Sequence, residues 1–363
     1  MANSSTVVTK DGKSIPEFSM NASKLLDKTI VIYGKSNSGK TVIVKNILKA
    51  LQDYIPVPIV ISPTEPSNRS YEKFIDKTLI HYGLTVEKGE EGLLEKIWEW
   101  QSMRASIYNK SNRSDVIRSL YNRVKTDEDD KKIRQIETKK KEKITTTALA
   151  KHEEVGKIFD EFIVKFLKKC ICNRKHLLDK YKATLNEDEL YSLMYIDLNP
   201  RIILIFDDCA ADLRQYFNKP IFRRIFYQSR HSYITSIFCN QDDTDLPANL
   251  RQNVAINIFT QPAIAKGNFE RGSNRYSKEM ITRANNLYQE VFVGHRKLIF
   301  IDNDPNDNCF YHMTAKIIEP FKFGSSSLQN LCSAVTTQDG AIDKQNKYYN
   351  VFCIPKKKKE KDN

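Results

Sequence analysis

The stretch Gly34-Lys-Ser-Asn-Ser-Gly-Lys-Thr41 decides the fold, because it fits the pattern G-x-x-x-x-G-K-[ST] at every defined position. An apolar run, Thr29-Ile-Val-Ile-Tyr33, precedes it and predicts a short buried strand. Apolar residues at helical spacing follow it between Val42 and Leu51. A strand, a glycine-containing loop and a helix in this order predict a phosphate-binding loop.

The residue types in this loop match the chemistry of nucleotide binding. Gly34 and Gly39 let the backbone curl, so that consecutive N–H groups and the helix N-terminus face an anion. Lys40 is predicted to reach the β- and γ-phosphates of ATP, and Thr41 to offer its hydroxyl to Mg²⁺. The predicted nucleotide-binding residues are those of the whole loop: Gly34, Lys35, Ser36, Asn37, Ser38, Gly39, Lys40 and Thr41.

Further apolar runs predict the rest of a sheet. They follow the loop helix at Val57–Ile61 and return at 201–206, 233–239 and 254–259, with a last pair at 290–293 and 298–301. Strands that alternate with helical segments predict an α/β fold with a central, mostly parallel sheet flanked by helices. The fold class is therefore that of a P-loop NTPase.

Two carboxylates follow the apolar segment Ile202-Ile-Leu-Ile-Phe206 directly. Ligands of parallel sheets bind at the carboxyl ends of the strands. The phosphate-binding loop and the two aspartates each follow a strand, and this predicts that Asp207 and Asp208 lie beside the loop. Asp207 is the expected Mg²⁺-side carboxylate of the Walker B type. Asp208 would point to the other side of the strand end and accept a proton from an attacking water.

The run 233–239 leads directly into Asn240-Gln241, and a polar residue at this sheet edge can sense the γ-phosphate, a role predicted for Gln241. Its presence favours an ATPase of the additional-strand (ASCE) type, with one strand between the loop strand and the Asp207 strand. No N-K-x-D guanine motif occurs in the sequence. A cap on the strand end is the alternative role for Gln241.

Two arginines are candidates for an arginine finger that acts across a subunit boundary. Arg230 stands just before the strand run at 233–239, and Arg251 is the second choice. An ion pair within its own chain is the alternative for each of them.

The chain has 363 residues and a net charge of 58 − 45 = +13, which suits a phosphate-rich partner. Residues 101–190 hold 22 Lys+Arg against 15 Asp+Glu and supply 22 − 15 = +7 of that charge.

We expect a polar N-terminal segment at 1–28, an ATPase domain at 29–324 with a charged helical insertion at about 86–195, and a polar, Lys-rich tail at 325–363. The seven Cys are scattered and predict free thiols. No apolar run predicts a membrane span or a secretory signal, so we expect neither membrane association nor export.

The order of these motifs resembles the genome-packaging ATPases of poxvirus-like large DNA viruses, a family of the FtsK/HerA superfamily that is also found in virophages and virus-like transposons. The resemblance covers residues 29 to about 315. It rests on the loop 34–41, Ile59-Val-Ile-Ser-Pro-Thr64 with Asn68 and Tyr71, Asp207-Asp208, Arg230-His231, and Gln241 with Leu246-Pro247 and Leu250-Arg251.

The resemblance implies a ring-forming homo-oligomer that uses ATP to push double-stranded DNA into a preformed capsid. DNA binding would be independent of sequence, the partners would include viral capsid proteins, and the protein would act in the virion or in the host cytoplasm at assembly sites. Two alternatives stay open. One is a cellular or plasmid DNA translocase or helicase, and the other is a nucleotide-gated capsid- or scaffold-binding protein with little turnover.

Overall fold

The fold places the glycine-containing loop near the middle of a sheet. The structure is a computed structural model that describes residues 7–9, 12–84, 92–147, 152–302 and 309–334. The chain divides into two compact units. The described residues up to Gln101 and from Arg201 form one, here called the sheet unit, and Ser102–Pro200 form the other, here called the helical unit.

The strands of the described residues form a hairpin and a larger sheet. They are β1 (Val7–Val8), β2 (Ser14–Ile15), β3 (Thr29–Tyr33), β4 (Val57–Ile61), β5 (Ile80–His81), β6 (Ile202–Asp207), β7 (Ile234–Asn240), β8 (Ile256–Phe259), β9 (Arg296–Phe300) and β10 (Phe310–Thr314). β1 pairs with β2, and the others form the order β10-β9-β8-β3-β7-β6-β4-β5. β9 and β10 are antiparallel to their neighbours, while the remaining pairs are parallel. This confirms the predicted α/β class with a mostly parallel sheet.

Helices cover the sheet and build the helical unit. They are α1 (Ala22–Leu25), α2 (Lys40–Leu51), α3 (Glu65–Asn68), α4 (Leu93–Ser111), α5 (Ser114–Val124), α6 (Asp127–Thr145), α7 (His152–Asn173), α8 (Lys175–Leu178), α9 (Glu187–Met194), α10 (Ala210–Arg214), α11 (Pro220–Gln228), α12 (Ala248–Arg251), α13 (Pro262–Glu270), α14 (Lys278–Asn285), α15 (Tyr288–Val291) and α16 (Ser326–Ala334). Short 3₁₀ helices occur at 77–79, 179–184, 229–232, 243–245 and 272–274. None of the helices in the described part of the chain combines the length and the apolar character that a membrane span needs.

The core of the sheet unit explains why β3, β4 and β6 read as continuous apolar runs. Every residue of these strands is buried, as expected for strands that have helices on both faces. The additional strand also lies where the sequence predicts it, because β7 pairs with β3 on one side and with β6 on the other. The glycine-containing loop and the Asp207 strand are therefore separated by a single strand.

The helical unit has its own apolar core, formed mainly by α5 and α7. Ile117, Leu120, Ile163 and Leu167 are buried in it. Helix α6 is exposed along most of its length and begins with a capping box, in which Thr126 and Asp129 satisfy each other's backbone N–H groups. The lysine-rich run at 139–143 lies on this exposed helix. The predicted helical character is present, although the compact unit begins at Ser102 rather than near residue 86, because the first part of α4 packs on the sheet core through Leu94 and Ile97.

Two expectations about the chain ends and the last strands differ from the structure. The polar segment 1–28 contributes Ile15, Phe18 and Leu25 to the sheet core, and α16 packs there through Leu328 and Cys332. The basic run at 355–361 lies outside the described residues. Residues 290–293 do not form a strand, because 288–291 are the helix α15. Short apolar runs do not distinguish a helix from a strand, and the partners of β9 are β8 and β10.

Candidate nucleotide site at the carboxyl edge of the sheet

The loop between β3 and α2 has the backbone that a phosphate cradle requires. Gly39 adopts φ +93°, in the left-handed region that favours glycine. Gly34 is confined from both sides, because a Cβ at this position would lie 2.0 Å from Thr260 Oγ1 and 2.2 Å from Ser38 Oγ. The Gly34 N–H donates to the Asn240 carbonyl at 3.0 Å, which ties the loop to the end of β7. Both glycines therefore serve the geometry of this turn.

Lys40 starts α2 and is buried, with 7% of its surface exposed. Its Nζ donates to the Gly34 carbonyl at 2.6 Å and to the Lys35 carbonyl at 3.3 Å. The ammonium group thus lies across the loop itself. Thr41 follows in the first turn of α2 and is half-buried.

Asp207 and Asp208 end β6 at this carboxyl edge, the edge where the parallel strands β3, β4, β6, β7 and β8 end. Asp207 is 6% exposed, and its Oδ2 accepts a hydrogen bond of 2.8 Å from the Tyr71 hydroxyl. Burial raises the pKa of Asp207, and the neighbouring charge of Asp208 raises it further, while the Tyr71 hydrogen bond and the charge of Lys40 oppose the rise. Asp208 adopts φ +54°, which Asp tolerates better than most residues. Its Oδ1 is buried and has no hydrogen-bond partner among the described residues.

Polar side chains at the end of β7 complete this edge. Gln241 is exposed, and its backbone N–H donates to Asp245 Oδ2 at 3.0 Å. Asn240, the neighbour that the sequence places at the same edge, is buried, and its Nδ2 has no partner in the described part of the chain. The structure therefore brings together the predicted loop, Asp207, Asp208 and Gln241, and it places the buried amide of Asn240 beside them.

Glu65 is a residue that sequence reasoning missed. It begins α3 shortly after β4, which pairs with β6, and only 1% of its surface is exposed. Its Oε1 accepts the backbone N–H groups of Tyr71 at 2.6 Å and Glu72 at 3.1 Å. Its Oε2 is buried without a partner among the described residues. Glu65 thus positions Tyr71, which in turn contacts Asp207.

The two predicted arginines are in different environments. Arg230 is exposed in the 3₁₀ helix 229–232, just before β7, and so lies at the opposite, amino edge of the sheet. A seven-residue strand is about 20 Å long, so Arg230 cannot reach the loop of its own chain. Arg251 is 8% exposed, and its guanidinium donates to Asn274 Oδ1, Ser273 Oγ and the carbonyls of Asp243 and Leu246. Arg251 is therefore a structural arginine of its own subunit, and its prediction as an arginine finger is wrong.

The oxygen groups at this edge fit Mg²⁺ and a nucleotide. Thr41 offers a hydroxyl and Asp207 a carboxylate, which are the hard oxygen ligands that Mg²⁺ prefers together with phosphate oxygens. The unpartnered Asp208 Oδ1 and the glycine-shaped loop beside Lys40 are a further match to a polar ligand. Within the described ranges, no group of three or more His, Cys, Asp and Glu side chains is arranged to hold a metal ion alone.

Comparison with known proteins finds close relatives in a large DNA virus. The chain is 44% identical over 360 residues to the uncharacterized protein B354L of African swine fever virus, an alignment that covers 96% of this chain and 99% of that protein. It is 27% identical over 154 residues to protein 075L of Invertebrate iridescent virus 6, covering 42% of this chain and 52% of that protein. No protein-family model matches the sequence. These relatives agree with the resemblance to proteins of large DNA viruses.

Solved structures with a related fold include viral and plasmid proteins. One is the genome packaging NTPase B204 from Sulfolobus turreted icosahedral virus 2 in complex with ATP-gammaS, with 15% identity, a TM-score of 0.34, and coverage of 83% of this chain and 100% of B204. Another is the pCW3 conjugation coupling protein TcpA, with 11% identity, a TM-score of 0.39, and coverage of 87% of this chain and 66% of TcpA. Similarity at this level is too remote to bear on function.

Proposed function

The chain belongs to the family of the African swine fever virus protein B354L, and we propose that it is an ATP-hydrolysing motor that moves double-stranded DNA into a preformed capsid. The observation that carries the hydrolytic part is the convergence at one sheet edge. The loop 34–41 comes directly after β3. Asn240 and Gln241 lie at the end of β7, and Asp207 and Asp208 lie at the end of β6. A phosphate cradle, an amide pair and a carboxylate pair on three adjacent strands suit phosphoryl transfer from ATP to water.

Each group has a distinct role in this proposal. The loop N–H groups and Lys40 bind the phosphates, and Lys40 moves from the carbonyls of Gly34 and Lys35 to the phosphate oxygens. Asp208 accepts the proton of the attacking water through its unpartnered Oδ1. Gln241 and Asn240 orient the water or the γ-phosphate through their amides. Thr41 and Asp207 would hold Mg²⁺, which when bound would neutralise phosphate charge.

The DNA and capsid part of the proposal draws on charge and on the family. A net charge of +13 supplies phosphate contacts that need no base readout. The resemblance to genome-packaging ATPases and the membership in a family of large DNA virus proteins support viral DNA as the cargo and the capsid as the destination. A motor that advances along DNA must accept every sequence that it passes.

The ring-forming part of the proposal places Arg230 in trans. Because Arg230 is exposed and lies at the opposite sheet edge from its own loop, it cannot act on that loop, and in the proposed ring it acts on the loop of a neighbouring subunit. We expect Arg230→Ala to lower ATP turnover on the order of 10³-fold. Rings that mix Lys40→Ala and Arg230→Ala subunits should regain part of the turnover, measured by phosphate release. Mixed rings without any recovery would contradict a shared site.

The test of the proposed function is an ATPase assay with and without double-stranded DNA. We expect Mg²⁺-dependent phosphate release that rises with DNA of unrelated sequences and loses this stimulation as salt is raised. Electron microscopy of the same mixture should show rings on DNA. Stimulation limited to DNA ends or forks would favour the helicase alternative, and binding of ATP with little turnover would favour the nucleotide-gated scaffold-binding alternative.

A further inference from the structure

A second lysine reaches the phosphate-binding loop from β9, which is separated from the loop strand β3 by β8. Lys297 lies on β9, which runs antiparallel to β8, so the start of β9 lies at the carboxyl edge. The register pairs Phe259 with Leu298, and this places Lys297 beside Thr260, the residue after β8. The loop is thus flanked by cations from two different elements, Lys40 on α2 and Lys297 on β9.

The contacts of Lys297 are with the backbone of the loop and of its support. Its Nζ donates to the Ser38 carbonyl at 3.1 Å and to the Thr260 carbonyl at 3.4 Å. Thr260 is itself fixed below the loop, because its N–H and its hydroxyl both donate to the Tyr33 carbonyl, at 2.9 and 3.0 Å. Lys297 therefore joins the middle of the loop to the end of β8.

The charge of Lys297 is uncompensated within the described residues. Burial lowers the pKa of its ammonium, and no charge of a carboxylate among these residues opposes that shift. The neighbouring Arg296 does not contact the phosphate-binding loop in this way, because its guanidinium donates to the carbonyls of Val293 and Glu290, a few residues before it in the chain. A half-buried cation that has only neutral acceptors raises the positive potential beside the loop.

We propose that Lys297 is a positioning residue for the polyphosphate chain of the nucleotide. The N–H groups of such a loop face the anion and its carbonyls turn away, so a cation behind the Ser38 carbonyl holds the cradle open. Hydrogen bonding to that carbonyl also polarises the peptide unit whose N–H belongs to Gly39. This inference rests on the proposed nucleotide site and adds a polyphosphate-specific residue to it.

The experiment compares three variants of the full chain. Lys297→Gln removes the charge, Lys297→Arg keeps it, and Lys278→Gln is the matched control at an exposed lysine of α14. Binding of ATP and of inorganic tripolyphosphate is measured by calorimetry, and the unfolding temperature of each variant is recorded. We expect Lys297→Gln to raise both dissociation constants on the order of tenfold. Its unfolding temperature should change by less than about 2 °C, and Lys297→Arg should recover most of the affinity.

Either of two results in the variants would overturn the inference. Unchanged dissociation constants in Lys297→Gln would show that the ammonium does not act on the phosphates. Weakened binding with a large loss of unfolding temperature and no recovery in Lys297→Arg would show a purely structural role. If the unaltered chain binds tripolyphosphate but hydrolyses no ATP, the proposed function fails while the comparison of the Lys297 variants still decides this inference. If it binds neither compound, both fail.

Discussion

The buried carboxylates of the helical unit and those at the carboxyl edge of the sheet unit are satisfied to different degrees. In the helical unit, the Asp129 carboxylate accepts hydrogen bonds from the two terminal nitrogens of the Arg174 guanidinium. Glu189 Oε2 forms an ion pair with Arg123 Nη2 at 3.0 Å. At the sheet edge, Glu65 and Asp208 each keep one buried oxygen without a partner among the described residues. Asp129 and Glu189 therefore contribute to stability, whereas Glu65 and Asp208 each leave an oxygen available for a ligand, although the sheet unit also holds a paired carboxylate, Asp243 with Arg271.

The pKa shifts follow the same division. The Arg174 hydrogen bond lowers the pKa of Asp129 from 3.8 to about 2, whereas burial raises the pKa of Asp207. A lowered carboxylate pKa means that the fold favours the charge, and a raised one means that the fold disfavours it. Unsatisfied polar groups reduce stability and are retained where a ligand or a reaction uses them.

The largest expected effect is the loss of nucleotide chemistry in Lys40→Ala. The site loses the cation that compensates the γ-phosphate, so we expect ATP turnover to fall on the order of 10³-fold and ATP binding to weaken strongly. Phosphate release and calorimetry measure the two effects. Lys140→Ala, which removes an ion pair with Asp160 in the helical unit, is the matched control and should leave turnover unchanged. Equal effects of the two substitutions would break the comparison.

Asp208→Asn should separate binding from hydrolysis. The amide preserves the shape of the side chain but cannot accept a proton, so turnover should fall on the order of 10²-fold while the dissociation constant for ATP stays the same. Single-turnover kinetics measure the chemical step. If Asp207→Asn shows this selective loss and Asp208→Asn does not, the roles of the two carboxylates are exchanged.

Asp129→Asn should act on stability alone. It removes the charged partner of Arg174 and half of the α6 capping box, so the free energy of unfolding should fall by about 2 kcal/mol, measured in urea. The folded pKa lies below the unfolded value, so the contribution of Asp129 is present at neutral pH and is lost as the pH falls from 3.8 toward 2. ATP turnover per folded molecule should not change. A catalytic loss in this variant would contradict the division between the units.

The smallest expected effect has the opposite sign. The pKa of Asp207 is raised on folding, so its ionised form destabilises the fold at pH values above that raised pKa, and this penalty disappears as the pH falls below 3.8. Asp207→Asn keeps an oxygen for the Tyr71 hydroxyl and removes the charge, so we expect a gain of up to about 1 kcal/mol at pH 7. The urea midpoint at pH 7 checks it. A lowered midpoint would show that Asp207 resembles Asp129.

The fold was largely predictable from the sequence because its central strands are buried on both faces. The runs at 29–33, 57–61 and 202–206 have no polar residue that would make their type ambiguous, except Thr29 at one end. Residues 288–291 and 310–314 were not predictable, because short mixed segments take the structure that tertiary contacts give them. The packing of Ile15 and Leu328 on the core depends on the same long-range contacts.

The site was predictable where a motif fixes the geometry and not where side chains meet by folding. The loop 34–41, Asp207 and Asp208 follow from strand, loop and carboxylate order. Glu65 reaches the same edge from α3, which follows β4, and Lys297 reaches it from β9, and no sequence spacing shows that they meet there. Arg251 belongs to a segment that resembles the packaging-ATPase family, yet its guanidinium donates hydrogen bonds within its own chain. Only the structure shows these hydrogen bonds.

The most direct test of the motor is the displacement of a fluorescent third strand from linear double-stranded DNA by the wild-type protein. The account predicts displacement with ATP and Mg²⁺, at rates that do not depend on the DNA sequence ahead of the triplex. It predicts no displacement by the wild-type protein with a non-hydrolysable ATP analogue, and none by Asp208→Asn with ATP. In both cases the protein should still bind DNA. Displacement by Asp208→Asn at the wild-type rate, or none by a wild-type protein that hydrolyses ATP on DNA, would contradict the claim that this sheet edge drives DNA movement.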